Sequence, residues 1–143
     1  MSALRWCGWF AALAFLSVLS HAHLDDSRRE RCRFDGLAID PLHRVDRVES
    51  GKVTASFCSL QCALSWPVTG ENSSWQVRDE LTGRPLDAEL ASFVQSRVVT
   101  VAAHDERTHA FRDGLDAERH RAQFGGVLVP NPLAARSAVP QRP

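Results

Sequence analysis

Three of the cysteines are the residues of this chain that are best suited to bind a soft metal ion. Cys58 and Cys62 are four residues apart, and Cys32 lies upstream of them. Side chains at i and i+4 are neighbours on a helix, so a helix here would present two thiols on one face. Three cysteines cannot all pair within one chain. Because thiolates select Cu(I) and Zn(II), the cysteines favour a soft-metal site, with Cu(I) as the preferred ion.

The same cysteines leave other interpretations open. Zn(II) would take three thiolates and one histidine as its four ligands. A disulfide is permitted between Cys58 and Cys62, or between Cys32 and either, since an i,i+4 Cα separation of about 6 Å lies near the upper end of the disulfide range. A thiol oxidoreductase is a further alternative, but the sequence contains no Cys-x-x-Cys motif to support it.

The cysteine pair lies at the predicted start of a helix, where Ser59 is a suitable N-cap. Cys58 and Cys62 then flank the first turn, and a metal ion bound near a helix N-terminus lowers the pKa of a thiol. His104 is the histidine predicted to join the site, because a second hairpin can bring its turn to the cysteines. Asp35, which lies near the thiols, is interpreted as a turn former.

The residues around the cysteine pair predict a β-hairpin followed by a helix. Residues 44–48 and 53–57 alternate between apolar and polar side chains, and residues 49–52, Glu-Ser-Gly-Lys, carry turn chemistry between them. The helix then begins after Ser59.

A second hairpin and helix repeat this order of elements. Residues 97–102 form a β-branched run, residues 103–107 a polar turn and residues 108–111 a return strand. Asp113 is placed to cap the helix that follows. Gly125 stands where the end of a helix favours a positive φ.

The two units also share sequence, since residues 54–63 align without a gap with residues 108–117, and a threonine, a phenylalanine and an alanine coincide. Between the units we predict a strand at residues 74–81 and a short helix over residues 87–93. The predicted fold class is α+β, with two ββα (hairpin–helix) units packed as a pseudo-symmetric single domain.

The ends of the chain differ in composition from this domain. The apolar run 6–19 is shorter than a membrane span of about 20 residues and follows a positive residue, so it has the form of a secretory signal. We predict a signal peptide over residues 1–22 (an uncleaved anchor is the alternative), a metal-binding domain over residues 30–133 and a disordered tail over residues 134–143. The cleaved protein would be periplasmic or secreted and not integral to a membrane.

The composition limits which binding partners and which types of reaction are expected. The chain has 17 basic and 17 acidic residues, so no charge excess points to nucleic acid or an anionic membrane surface. No Gly-rich phosphate loop or nucleophile elbow is present, and we predict that the protein is not an enzyme. Met1 is the only methionine. Removal of the signal would therefore leave three of the four cysteines and no thioether ligand.

Several motifs resemble the NosL family, the copper accessory proteins of nitrous oxide reductase. Residues 32–41 are similar to the family's opening Cys-x-x-Cys-Gly-Met motif, residues 79–88 to its central segment, and residues 104–111 to part of its C-terminal block. Residues 57–63 also resemble the cysteine pattern of TRASH and YHS metal-binding modules. The resemblance covers residues 32–127, nearly the whole predicted domain.

The chain departs from the family pattern at positions that bear ligands. Asp35 stands where the family has its second cysteine, Leu37 where it has a methionine, and His104 where the C-terminal block has a methionine associated with copper. The resemblance implies an exported metallochaperone that delivers Cu(I), with zinc as the other candidate ion, to a client such as nitrous oxide reductase or another cuproenzyme. The alternative function is a structural or interaction module with a disulfide or a closed zinc site. The predicted ligands are Cys32, Cys58, Cys62 and His104.

Overall fold

The computed structural model describes residues 30–67 and 73–137, which contain two antiparallel sheets and short helices. The predicted α+β class is confirmed at this level. The predicted signal peptide, residues 1–22, lies outside the described residues, as do residues 138–143 of the predicted tail. In the two described ranges, no helix is long and apolar enough to cross a membrane.

The first sheet contains the predicted hairpin and two later strands. The hairpin is confirmed, and its turn places Ser50 and Gly51 at positive φ. The predicted strand at residues 74–81 is also present, although it ends at Arg78. In spatial order the strands are β2 (Lys52–Phe57), β1 (Val45–Glu49), β3 (Ser73–Arg78) and β4 (Pro85–Asp87).

A buried ion-pair network fastens these strands to one another. Asp46 of β1 is almost fully buried, and its carboxylate pairs with Arg44 at 2.6 Å and with Arg78 of β3 at 2.7 Å. Ser56 of β2 donates to the same carboxylate at 2.7 Å. Because the buried charge has partners on both sides, β2, from which the cysteine pair follows, is held against β1 and β3.

The second sheet begins earlier in the chain than the sequence predicted. The predicted strand at residues 97–102 is wrong, because this segment is a loop that ends in a 3₁₀ turn at Ala102–His104. The first strand instead contains Phe93 and Val94, both buried. Burial of these side chains outweighs the β propensity of the run that follows. In spatial order the strands are β6 (Thr108–Phe111), β5 (Ser92–Ser96) and β7 (Gly126–Val129).

The predicted helix over residues 87–93 is also wrong in length. Only Ala88–Leu90 forms a helical turn, of the 3₁₀ type, and the chain then enters β5. Asp87 caps this turn by accepting a hydrogen bond from the Glu89 N–H at 3.0 Å. The cap lies where the predicted helix begins. The helix ends within one turn because the chain then enters the buried strand β5.

The helices α1 (Leu60–Ser65) and α2 (Gly114–Phe124) follow the two hairpins as predicted. Asp113 caps α2 by accepting the Leu115 N–H at 2.9 Å, and Gly125 ends it with φ +71°. A last turn, α3 (Ala134–Ser137), lies within the segment that was predicted to be a disordered tail.

The two phenylalanines that coincide between the predicted units, Phe57 and Phe111, are both fully buried. Phe57 lies in the main core, with ring centroids 5.8 Å from Trp66 and 5.9 Å from Trp75. Phe111 belongs to a smaller cluster that includes Ala117 of α2. The two rings thus share full burial but lie in different clusters, and the pseudo-symmetric pairing of the units stays a prediction.

Candidate metal centre

A tight turn at the start of the domain carries the first thiol. The Cys32 N–H donates to the Leu37 carbonyl at 2.8 Å, and the Gly36 N–H donates to the Cys32 carbonyl at 3.0 Å. Gly36 has φ +75°, which glycine adopts without strain. The Arg33 N–H donates to the Ser56 carbonyl at 2.9 Å. This last bond holds the turn against the end of β2, so Cys32 comes close to the segment that carries the other cysteines.

Cys58 and Cys62 lie on either side of a helix cap, and not on one helix face as predicted. Helix α1 begins at Leu60, and Ser59 before it has an extended backbone. The Ser59 hydroxyl accepts a hydrogen bond from the Cys62 N–H at 3.1 Å, which confirms the predicted cap. The capped turn brings the two sulfur atoms to 3.6 Å.

The turn and the cap together assemble three sulfur atoms and one carboxylate. The donor atoms of Cys32, Asp35, Cys58 and Cys62 all lie within 4.8 Å of one another. The three cysteines are buried and not bridged to one another, whereas the Asp35 side chain is 20% exposed. Donors of these types at this spacing can converge on a single ion.

His104 reaches the cluster from the second sheet, on the loop between β5 and β6. Its Nε2 atom lies 2.8 Å from Asp35 Oδ2, 3.4 Å from Cys62 Sγ and 3.5 Å from Cys58 Sγ. The structure therefore places the four residues predicted as ligands in one region. Asp35, which was not predicted as a ligand, lies in the same region.

The loop that carries His104 is anchored to the first sheet's side of the site. Glu106 Oε2 accepts a hydrogen bond from the Gln61 N–H at 3.1 Å. Within the loop, the Thr100 N–H donates to the Glu106 carbonyl at 2.7 Å, and Asp105 ends the 3₁₀ turn in the left-handed region with φ +47°. These bonds fix where the imidazole enters the site.

Burial raises the pKa of two of the thiols. It raises the pKa of Cys62 to about 12, and burial together with the hydrogen bond to Cys32 raises the pKa of Cys58 further. The metal-free thiols of Cys58 and Cys62 are thus protonated at neutral pH, and an incoming ion must displace their protons. Burial alone would raise the pKa of Asp35 as well, but hydrogen bonds from the Leu37 N–H and the thiols outweigh it and hold that pKa well below its usual range.

Asp35 is the residue of this cluster that the sequence interpretation placed near the thiols but did not include among the donors. Its Oδ1 accepts the Leu37 N–H at 3.0 Å, which agrees with the predicted role in a turn. Its Oδ2, however, lies 3.1 Å from Cys62 Sγ and 3.5 Å from Cys58 Sγ. The available signal was its place three residues after Cys32, where the NosL family has a second cysteine.

The fold has a counterpart among solved structures. No family model matches the sequence, and no curated protein matches it. The crystal structure of the copper chaperone NosL from Shewanella denitrificans matches with a TM-score of 0.53 and 23% sequence identity, over 70% of this chain and 85% of that chain. At this identity the likeness is one of architecture, and this chain is similar in fold to the copper chaperone NosL.

Proposed function

We propose that this chain is an exported copper-binding accessory protein that carries Cu(I) and passes it to a periplasmic client enzyme. The observation that carries the proposal is the cluster of three buried, unbridged thiols with an imidazole 3.4 Å and 3.5 Å from two of them. The fold likeness to a copper chaperone supports it. That neighbour is named a chaperone and not an enzyme, which supports a non-enzymatic role.

The proposed ligands are Cys32, Cys58 and Cys62, with His104 as the neighbouring nitrogen donor. Thiolates select Cu(I) over harder ions, and Zn(II) is the other cargo that suits this set. The buried sulfur atoms shield the ion from water, whereas the side chains of His104 and Asp35 are 19% and 20% exposed. A client's ligands would therefore approach the metal from the side of these two residues.

A Cu(I) titration against a chromophoric chelator tests the proposal. The reduced protein should bind one equivalent, and the variant Cys58→Ser/Cys62→Ser should lose affinity by more than about 100-fold, the upper end of the loss from removing an outer-sphere partner. The matched control is His43→Ala, which alters a histidine outside the cluster. Equal Cu(I) affinity of wild type and the double variant would contradict a thiol site.

A second candidate function follows from the 3.6 Å between the sulfur atoms of Cys58 and Cys62. At this separation an oxidant can join them, and the protein would then be a structural or interaction module. Counting free thiols in protein recovered from the periplasm separates the two cases. Three free thiols or a bound metal support the carrier, and one free thiol supports the module.

Sequencing the recovered N-terminus tests export, since cleavage after Ala22 predicts a chain that starts at His23.

A further inference from the structure

We propose that Asp35 is a fourth metal ligand, which fits the site to a divalent thiophilic cation such as Zn(II) in an S₃O set, in addition to Cu(I). The inference rests on the proposed function because it uses the same three thiolates. It goes further by naming a ligand outside the predicted set and a second class of cargo.

The position of the carboxylate carries the inference. Among the described residues, the donor atoms that all lie within 4.8 Å of one another belong to the three cysteines and Asp35, and His104 is outside this group. The two oxygen atoms of Asp35 have separate roles. Oδ1 is held by the Leu37 N–H at 3.0 Å and lies 3.8 Å from Cys58 Sγ, whereas Oδ2 is closer to the sulfur atoms, at 3.1 Å from Cys62 Sγ and 3.5 Å from Cys58 Sγ.

The contact between His104 and Asp35 assigns the histidine a different role. His104 Nε2 lies 2.8 Å from Asp35 Oδ2, closer than it lies to either sulfur atom. Carboxylates that bind metals are themselves held by hydrogen bonds from an outer shell of residues. The imidazole therefore orients the ligating carboxylate of Asp35, and the loop from the second sheet supports the site without having to supply its fourth donor.

A carboxylate oxygen affects the two classes of ion differently. Zn(II) takes four ligands in tetrahedral sites and accepts Asp oxygen beside Cys sulfur. Cu(I) prefers soft sulfur donors and gains little from an oxygen. Loss of the Asp35 carboxylate should therefore weaken binding of divalent cations much more than binding of Cu(I).

The chain supplies a matched control for this test. Asp40 forms the same kind of turn, since its Oδ1 accepts the Leu42 N–H at 2.9 Å. In Asp35→Asn the side-chain oxygen can still accept the Leu37 N–H, so the turn is kept while the carboxylate is lost. Asp40→Asn makes the same chemical change in a turn outside the cluster.

The experiment uses Co(II) as a spectroscopic substitute for Zn(II), in reduced protein without oxygen. Wild type should bind one Co(II) with the intense d–d absorption of a four-coordinate site. Asp35→Asn should weaken Co(II) and Zn(II) binding by about 10- to 100-fold and alter that absorption, with Cu(I) affinity changed by less than about threefold. Asp40→Asn should match wild type for all three ions.

Three results would overturn the inference: no Co(II) binding by wild type, an Asp35→Asn variant with the wild-type Co(II) affinity and spectrum, or four-coordinate absorption that is lost only in His104→Ala. Failure of the carrier function looks different. It appears as absent Cu(I) binding in wild type, or as Cu(I) binding that does not need Cys58 and Cys62, whether or not Asp35→Asn alters Co(II) binding.

Discussion

Among the described residues, two histidine–carboxylate pairs have the same chemistry in different surroundings. His104 Nε2 lies 2.8 Å from Asp35 Oδ2, on two turns and with both side chains about one-fifth exposed. His109 Nδ1 lies 3.3 Å from Glu80 Oε1, and the His109 side chain is fully buried on β6. The first pair lies beside thiols that can bind a metal ion. In the second pair the histidine lies inside the protein, whereas the Glu80 side chain is 23% exposed.

The buried histidine of the second pair is surrounded by groups from three elements. His109 Nε2 is 2.9 Å from Ser96 Oγ on β5, and His120 Nε2 on α2 is 3.3 Å from the same oxygen. The His109 and His120 ring centroids are 4.2 Å apart, and His120 lies 5.1 Å from Phe111. Strands and a helix hold the groups around His109, so this histidine stabilises the fold, whereas the first pair lies on hydrogen-bonded turns beside the thiols.

The largest effects on stability are expected from Phe57, which directly precedes Cys58, and from Phe111, which packs against His120. Phe57→Ala and Phe111→Ala should each lower the free energy of unfolding by about 3–5 kcal/mol, because each removes a fully buried ring. Only Phe57→Ala should also weaken Cu(I) binding, since Phe57 directly precedes Cys58. Urea denaturation of the reduced, metal-free variants and a chelator titration measure the two effects. A loss below about 1 kcal/mol in either variant would contradict the assigned burial.

Substitution of the two histidines should separate stability from metal binding. His109→Ala should cost about 2–4 kcal/mol, because it opens a cavity and leaves the hydroxyl of Ser96 with one partner fewer. It should leave Cu(I) affinity at the wild-type value. His104→Ala should change stability by no more than about 0.5 kcal/mol, as expected of a partly exposed turn residue, and weaken Co(II) and Zn(II) binding by about tenfold through the loss of its contact with Asp35. If His109→Ala weakens metal binding as much as His104→Ala does, the contrast between the pairs is wrong.

The smallest effect concerns pH and the buried region. Burial and the neighbouring His109 lower the pKa of His120, so the unfolded chain binds a proton at higher pH than the native protein does. The associated stability is present above the unfolded value of about 6.5 and is lost as pH falls through the lower native pKa. Urea denaturation from pH 7.5 to 5.5 should show this loss in wild type and a flatter profile in His120→Gln.

Glu80 provides the control for that profile. Burial alone would raise the pKa of Glu80, but the neighbouring His109 outweighs it and lowers that pKa. The stability linked to Glu80 is thus present above its unfolded pKa of about 4.3 and is lost below it, outside the tested range. Glu80→Gln should therefore not flatten the profile between pH 7.5 and 5.5. If it flattens the profile as much as His120→Gln does, the assignment to His120 fails.

Local sequence signals predicted the cysteine side of the site. Ser59 and Asp113 are caps that short-range chemistry dictates, and both were predicted correctly. The first hairpin follows from the turn at Ser50 and Gly51. These features depend on residues within a few positions of one another, so a single sequence is enough to predict them.

Features that depend on distant packing were predicted less well. Val98 and Val99 belong to the β-branched run that predicted a strand, yet both are exposed, because the buried Phe93 and Val94 determine where β5 lies. Asp35 was interpreted through its nearest neighbours, and its second oxygen meets Cys62 only after the turn folds against β2. The direction in which a side chain points out of a turn depends on tertiary contacts, which spacing alone does not reveal.

The loop that carries His104 also links completion of the proposed metal site to how far the chain has folded. Cys58 and His104 are 46 residues apart, and their meeting requires the loop between β5 and β6 to be in place. Contacts between such distant residues form late, because closing a long loop costs entropy before the contact is made. The three cysteines and Asp35 all lie between residues 32 and 62, so a nascent chain carries these donors before His104 arrives. Only a chain folded through β6 has the imidazole in contact with the Asp35 carboxylate, and metal binding that depends on this contact would therefore be tighter in finished molecules than in unfinished ones.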